Sequence, residues 1–369
     1  MSACCIIRMR CRRRSRAQLA VKSVNDEMAH GKGKLLKAAV LRFANILGET
    51  GVYRYCCPGI MPVFMLHRVY DGEKAHSGGL SADQLRSYLE YLTAKKFQVL
   101  TMGEVLRYLN ERKPFPSKSV FFTIDDGFAD HYEVAAKVFD EFRYPLNFFV
   151  ITGFLDRQLW PWDDQLAFGI ARTSVKKAEL RLPSGESYCL NLRSQGISEA
   201  IRGLRDSLKT VDQQGIYHWI KNDLYRVLNV PFPKTIPPEY SPMSWDDARA
   251  LQTRGHGVYP HTQSHRILST LSSLEKREEI SGSLARLAEE LECSPKAFAY
   301  PTGRISDYDR KDMEELKLAG YELAFNTVPA YLSLDCDHYQ LPRFSLPEKM
   351  PEFLQIINRF EALKTKIRA

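Results

Sequence analysis

The sequence predicts an α/β fold built on a closed or nearly closed barrel of about seven parallel strands. Two observations carry the prediction. Short apolar runs alternate with helical patterns from Pro62 to Asn326. Strands separated by crossover helices pair in parallel, and this many repeats favours closure over an open sheet.

PVFML (62–66) is a short apolar strand, and a helix follows over about 82–95. FQVL (97–100) is the next strand, with a helix from Met102. SVFFTI (119–124) is the strongest buried strand, followed by a helix near 130–142 and a strand in NFFVIT (147–152). GVYPHT (257–262), AFAYP (297–301) and ELAFN (322–326) continue the theme, with helices near 273–292 and 309–319. In such folds the chemistry sits at the C-terminal ends of the strands.

Between about 171 and 242 the alternation breaks. LRLPSGESYCLNL (180–192) reads as a hairpin turning at Ser184–Gly185. Helical stretches near 197–209 and 212–227 come next, and VPFPKTIPP returns the chain. An insertion of this length over the barrel is suited to shaping a substrate cleft. The expected organisation is a basic arm over 1–60, a barrel over 61–347 and a C-terminal helix over 348–369.

The net charge of +8 belongs to the arm, where residues 1–60 hold twelve Lys/Arg against three Asp/Glu. A run such as Arg12, Arg13, Arg14 and Arg16 is ordinarily a solvated tail. Attraction to anionic lipid is the alternative, and a nucleic-acid partner is not expected, because charge alone supports it. Residues 34–47 form an amphipathic helix pattern with Leu36, Ala39, Val40, Phe43 and Leu47 on one face, suited to packing on the domain or lying on a membrane surface. The eight cysteines contain no Cys-x-x-Cys pair, which fits a reducing compartment. With no secretory signal visible, the expectation is a cytoplasmic protein, at most peripheral to the inner membrane.

Asp125 and Asp126 end the strongest strand, and Gly127 permits the turn that can aim both carboxylates at the barrel mouth. Adjacent carboxylates repel, so a cation or a proton is expected between them. His261 and His265 lie four apart in HTQSH. On a helical turn that spacing places two imidazoles on one face, suited to one metal ion. Two His and one Asp leave coordination positions open, the arrangement of a catalytic site.

TIDDG (123–127), HTQSH (261–265) and FAYPTG (298–303), in this order, resemble the signature motifs of the NodB-type polysaccharide deacetylases, carbohydrate esterase family four. MLHRV (65–69), SPMSWDDARAL (241–251) and LPRF (341–344) resemble the bacterial exopolysaccharide-associated branch. The likeness covers roughly 62–346. It implies a distorted (β/α) barrel, one divalent ion (usually Zn2+, sometimes Co2+, Ni2+ or Mn2+) and hydrolysis of N-acetyl groups on hexosamines of a glycan. By position, Asp125 would be the general base, with Asp126, His261 and His265 holding the metal. Tyr300, Pro301 and Thr302 would wall the substrate groove, and the Thr302 N–H would help stabilise the oxyanion.

The family arginine two residues before the strand-end proline is Ala299 here. Arg343 can supply that charge or be a structural ion-pair partner. A late Leu-x-His motif is missing, and His67, ending the first strand, resembles the catalytic acid of the branch. Trp162 and Asp164 match a Trp-x-Asp-x-Leu element in which the aromatic ring stacks on a sugar. Two further readings stand beside the deacetylase: a deformylase or deacetylase of a lipid-linked amino sugar, and a glycan-binding barrel without turnover.

Overall fold

The computed structural model describes residues 41–72, 79–209, 211 and 213–368. The chain divides into two compact units, Pro58–Glu348 and a smaller one formed by the segment ending at Cys57 with residues from Lys349 onward.

The larger unit realises the predicted alternation as eight parallel strands: β1 Val63–Leu66, β2 Gln98–Val99, β3 Ser119–Asp126, β4 Asn147–Val150, β5 Gly257–Pro260, β6 Ala297–Ala299, β7 Leu323–Phe325 and β8 Phe344–Ser345. β8, β1, β3, β4 and β5 hydrogen-bond in that order, and β2 adds to the early residues of β3. β6 and β7 form a separate parallel pair. Among the described residues no ladder joins β5 to β6 or β7 to β8, so the ring of strands is interrupted twice. β8 escapes a periodicity reading because two residues are too few to show one.

Side chains close the ring where backbone pairing does not. Val63, Phe121, Phe149, Ala297, Ala299, Leu323 and Phe325 belong to one apolar cluster drawn from both sheets. The Phe325 ring lies 5.8 Å from Phe121 and 5.6 Å from Phe149. Successive residues of a strand alternate between faces. With Phe121 inward, Thr123 and Asp125 share its side, while Phe122 packs outward on Phe139 of the helix Lys137–Glu141. The interior is thus a packed core with one carboxylate at its top.

The insertion begins earlier than expected, since Trp160, Trp162, Leu166 and Ile170 share one apolar cluster with Leu180, Leu190, Leu204 and Leu224, which also takes in Phe128, Ile151 and Phe154 from the barrel. The hairpin forms with Lys177–Arg181 antiparallel to Ser187–Asn191 and a tight turn at Gly185, φ 87°. The return leg grips the barrel: Met243 N–H donates to Gly127 O at 2.9 Å and Ala129 N–H to Ser241 O at 2.8 Å.

In the smaller unit, residues 41–49, Val52–Cys56, Met350–Ile357 and Phe360–Arg368 are helical. The single C-terminal helix expected over 348–369 is broken at Arg359, whose φ is 68° and whose guanidinium donates to Cys57 O at 2.8 Å. Residues 1–40, including the arginine run and half of the amphipathic stretch, lie outside the described residues. Of the two readings of that stretch, packing on the domain or lying on a membrane surface, the first is not met by the apolar residues that are described: Phe43 is 67% exposed and Leu47 is exposed as well, while Ala44 and Asn45 are buried. Small or hydrogen-bonding groups make the contact instead. Asn45 Nδ2 donates to Pro351 O at 3.1 Å, and a Cβ on Gly48 would stand 3.1 Å from Asn358 Cβ.

Candidate active site

The ends of β3, β5 and β6 meet over the packed interior. Asp126 leaves β3 with φ 92°, and Gly127 follows with φ 94°. This left-handed backbone, costly for a residue with a Cβ, swings Asp126 out of the strand's alternation, so that both acids face the mouth. Glycine suits position 127 because φ 94° strains any side chain, and a Cβ there would also stand 3.3 Å from Val150 Cβ.

After β5, His261 and His265 do not share a helical turn, as the spacing suggested. Thr262 and His265 take φ of 65° and 57°, and the Thr262 hydroxyl accepts the His265 N–H at 2.9 Å. The resulting curl brings the two imidazole centroids to 5.0 Å. The Glu279 carboxylate pins it by accepting the N–H groups of Gln263 at 2.9 Å and Ser264 at 2.8 Å, and the Ser264 hydroxyl.

His261 Nε2 and His265 Nε2 lie 3.7 Å and 3.6 Å from Asp126 Oδ1. One ligand atom from each of the three residues falls within 4.8 Å of the others. The donor set fits a divalent cation on several counts. His261 Nδ1 is engaged with Ala299 O at 2.7 Å, which leaves the lone pair on Nε2. Burial lowers the His261 pKa to about 3 and lowers that of His265 too, so both rings are neutral donors at pH 7. Burial, with the charges of Asp125 and Asp163, raises the Asp126 carboxyl to about 7 when no cation is beside it. A carboxylate so disfavoured gains much from a positive ion.

Asp125 sits one residue back, 2% exposed. Arg343, fully buried just before β8, donates to Asp125 Oδ1 at 2.7 Å, to Thr123 Oγ1 at 3.0 Å and to Asn326 O at 2.9 Å. Burial alone would raise the Asp125 carboxyl, but the positive charge around it, Arg343 first, holds it below the ordinary range. Of the two readings that the sequence left open for Arg343, the buried ion-pair partner is the one seen here, with Asp125 at 2.7 Å. It lies outside the cleft lining and is a positioning residue.

A cleft of about 950 Å³ opens above these groups, lined by His67, Asp125, Asp126, Trp162, Asp164, His261, His265, Tyr300 and Thr302 among others. His67 is exposed at its edge. Its backbone carbonyl accepts from the buried ring of His131, which fixes the turn that carries it. Thr302 has φ 56°, its hydroxyl is bound to Asp307 and its carbonyl accepts from Thr327 at 2.9 Å. Its N–H makes no hydrogen bond among the described residues and is left as a free donor. Tyr300 walls the cleft rigidly, stacked on Tyr308 at 4.0 Å with its hydroxyl on Tyr339 O.

Pro301 and Trp162, both expected as substrate contacts, are buried. Pro301 is not among the residues that line the cleft. Trp162 lines the cleft yet is only 2% exposed, and in the helix Trp162–Arg172 it falls on the apolar stripe with Leu166 and Ile170.

The sequence reading missed Asp163, Arg205 and Arg68, which also line the cleft. Asp163 lies 3.6 Å from Arg205 and stays ionised, while burial and the Asp163 charge push Asp164 well above the ordinary carboxylate range. Arg68 ties the β1 exit to Asp130 at 2.7 Å and to Glu239 O at 2.7 Å. The doubled acids of WPWDDQL were the one available signal. A second cavity, about 730 Å³ and lined by Ser174, Lys177 and Arg193, holds no motif residue.

The fold and site define a barrel hydrolase whose reacting groups stand at the C-terminal strand ends. The polysaccharide deacetylase profile matches residues 112–322, more than half of the chain, and the chain belongs to that family of hydrolases of non-peptide carbon–nitrogen bonds. No curated protein sequence matches it. Among solved structures it is similar to the Streptococcus pyogenes deacetylase PplD in complex with acetate, with TM-score 0.54, 18% identity, and 80% of this chain and 97% of that one covered. It is also similar to a de-N-acetylase from Aggregatibacter actinomycetemcomitans, with TM-score 0.52, 13% identity and coverage of 81% and 99%. At these identities the likeness is one of fold.

Proposed function

We propose that the cleft removes N-acetyl groups from amino sugars of a polysaccharide or glycoconjugate, using one divalent cation, Zn2+ first among the candidates, held by Asp126, His261 and His265. The observation that carries this reading is the meeting of those three side chains within 4.8 Å, beside a carboxylate held ionised by Arg343. When bound, the cation polarises the acetamido carbonyl and acidifies water.

Asp125 accepts the proton of the attacking water as its oxygen bonds to the acetyl carbon. The carbon–nitrogen bond then breaks with its electron pair on nitrogen. His67, exposed at the cleft edge, hands that nitrogen a proton, and acetate and the free amine leave. The Thr302 N–H is a fixed donor for the carbonyl oxygen as it gains charge. PplD was solved with acetate, which is in keeping with release of that product. An acetate-release assay on N-acetylhexosamine oligomers and lipid-linked glycans, with and without chelator, tests the reading. Release that continues unchanged after exhaustive chelation would overturn the metal, and no release from any member of the panel would overturn the activity.

One observation favours a lipid-linked amino sugar, deacetylated or deformylated at a membrane face. The smaller unit exposes Phe43, Ile46 and Tyr55, the last 87% exposed, and the sequence before it is strongly basic. Among the described residues no helix is long and apolar enough to cross a membrane. Contact through inserted side chains and basic charge is the mode that such a surface supports.

A further inference from the structure

The helix Ile197–Leu208 of the insertion is amphipathic in an unusual way. Ala200, Ile201, Leu204 and Leu208 fill the insertion's core. Ser198, Arg202, Arg205 and the following Lys209, spaced as one helical stripe, line the cleft. Arg304, on the loop after β6, lines it as well.

The carboxylates nearest these four cations are Asp206, Asp163 and Asp307. Asp206 is shared, 3.4 Å from Arg304 and 3.9 Å from Lys209. Asp163, 3.6 Å from Arg205, also acts on His265 in the pocket below. Arg202 has no ion-pair partner among the described residues, and Arg205 Nε is buried without a hydrogen bond. Lys209 is held below the ordinary lysine range by burial and then by the Arg304 and Arg205 charges, despite Asp307 and Asp206. Like charges lined along one wall of a cleft are disfavoured until an anion joins them.

We propose that this rim binds an anionic group of the substrate, a carboxylate or phosphate, set beside the acetamido sugar. Guanidinium groups suit both, since their paired donors match two oxygens of either anion. The inference rests on the cleft being a deacetylase site and specifies which glycans enter it.

Binding is measured apart from turnover, by calorimetry on the full chain with three probes that share one N-acetylhexosamine. One is a neutral oligomer, one carries a neighbouring uronic acid, and one is linked through phosphate to a short prenyl chain. At low salt an anionic probe is expected to bind about tenfold tighter than the neutral one, with the advantage shrinking as salt rises. Whichever anionic probe gains identifies the source of the charge. R202Q/K209Q/R304Q should erase the advantage, and R202K/R304K should keep it. R202Q/R304Q, confined to exposed side chains, should lose part of it and guards against a folding defect. Equal affinity for all three probes, or an advantage untouched by the charge-removing variants, would overturn the proposal. An intact anionic preference without acetate release would sink the deacetylase reading instead and leave the rim standing.

Discussion

The floor and the rim of the cleft are built on opposite plans. On the floor, Asp126, Thr262, His265 and Thr302 all take left-handed backbone angles, and each is tied by hydrogen bonds or by flanking strands. Positions so strained persist only where the surroundings over-determine them, which is how reacting groups are held still. On the rim, Arg202 and Arg304 stand on unstrained backbone at exposed positions. The floor spends stability on geometry, whereas the rim supplies charge at long reach. Chemistry should therefore depend steeply on floor residues and only gradually on rim residues.

The largest effect is expected on the floor's ligands. His261→Ala or Asp126→Asn should abolish both metal content and acetate release; full metal retained in His261→Ala by elemental analysis would break the contrast. Asp125→Asn keeps the shape and loses the proton acceptor, so turnover should fall by ~10²–10⁴-fold while metal stays. Metal lost in Asp125→Asn but kept in Asp126→Asn would mean that the two roles are exchanged.

Arg343→Met leaves Asp125 buried and unpaired. A stability loss of about 3–5 kcal/mol is expected by chemical denaturation, together with reduced turnover. An unchanged midpoint would show that the pair is not integral to the floor.

A smaller effect concerns the barrel wall away from the site. His256 Nδ1 accepts the Leu146 N–H at 3.1 Å while Nε2 faces Asp140 at 3.0 Å, so the fold needs the neutral ring. Burial lowers its pKa to about 4, against ~6.5 in the unfolded chain. The unfolded state takes up the proton first, so stability is level above pH ~6.5 and falls as pH drops towards 4. Denaturation midpoints that stay flat across that window in wild type, and match those of His256→Gln, would contradict this. Least of all is expected from deleting residues 1–27, which hold no motif: turnover on a soluble substrate should be unchanged.

The floor was legible because motif chemistry is local. TIDDG and HTQSH each put their reacting residues within five positions, and the strand ends that carry them are strongly apolar. What escaped was decided at a distance. The curl at Thr262 replaces a helical turn because Glu279, far along the chain, captures the N–H groups of Gln263 and Ser264. Trp162 was legible as part of a motif but not as a core residue, since its cluster assembles from residues between Phe128 and Tyr240. The rim stripe of Arg202, Arg205 and Lys209 looks like any solvated helix face until the fold turns it over the cleft. Asn45 and Gly48 show the same limit in the smaller unit, where close approach outweighed the apolar face.

Arg343 reaches its carboxylate from 218 positions further along the chain. During synthesis, Asp125, Asp126, His261, His265 and Thr302 have all emerged before it. Those motif residues alone do not set the charge at Asp125: burial in the folded barrel pushes its carboxyl up, and Arg343 offsets this. The charge state of an acid at the end of the third strand is thus set by a residue beside the last one, so this corner of the site depends on the two ends of the barrel being brought together.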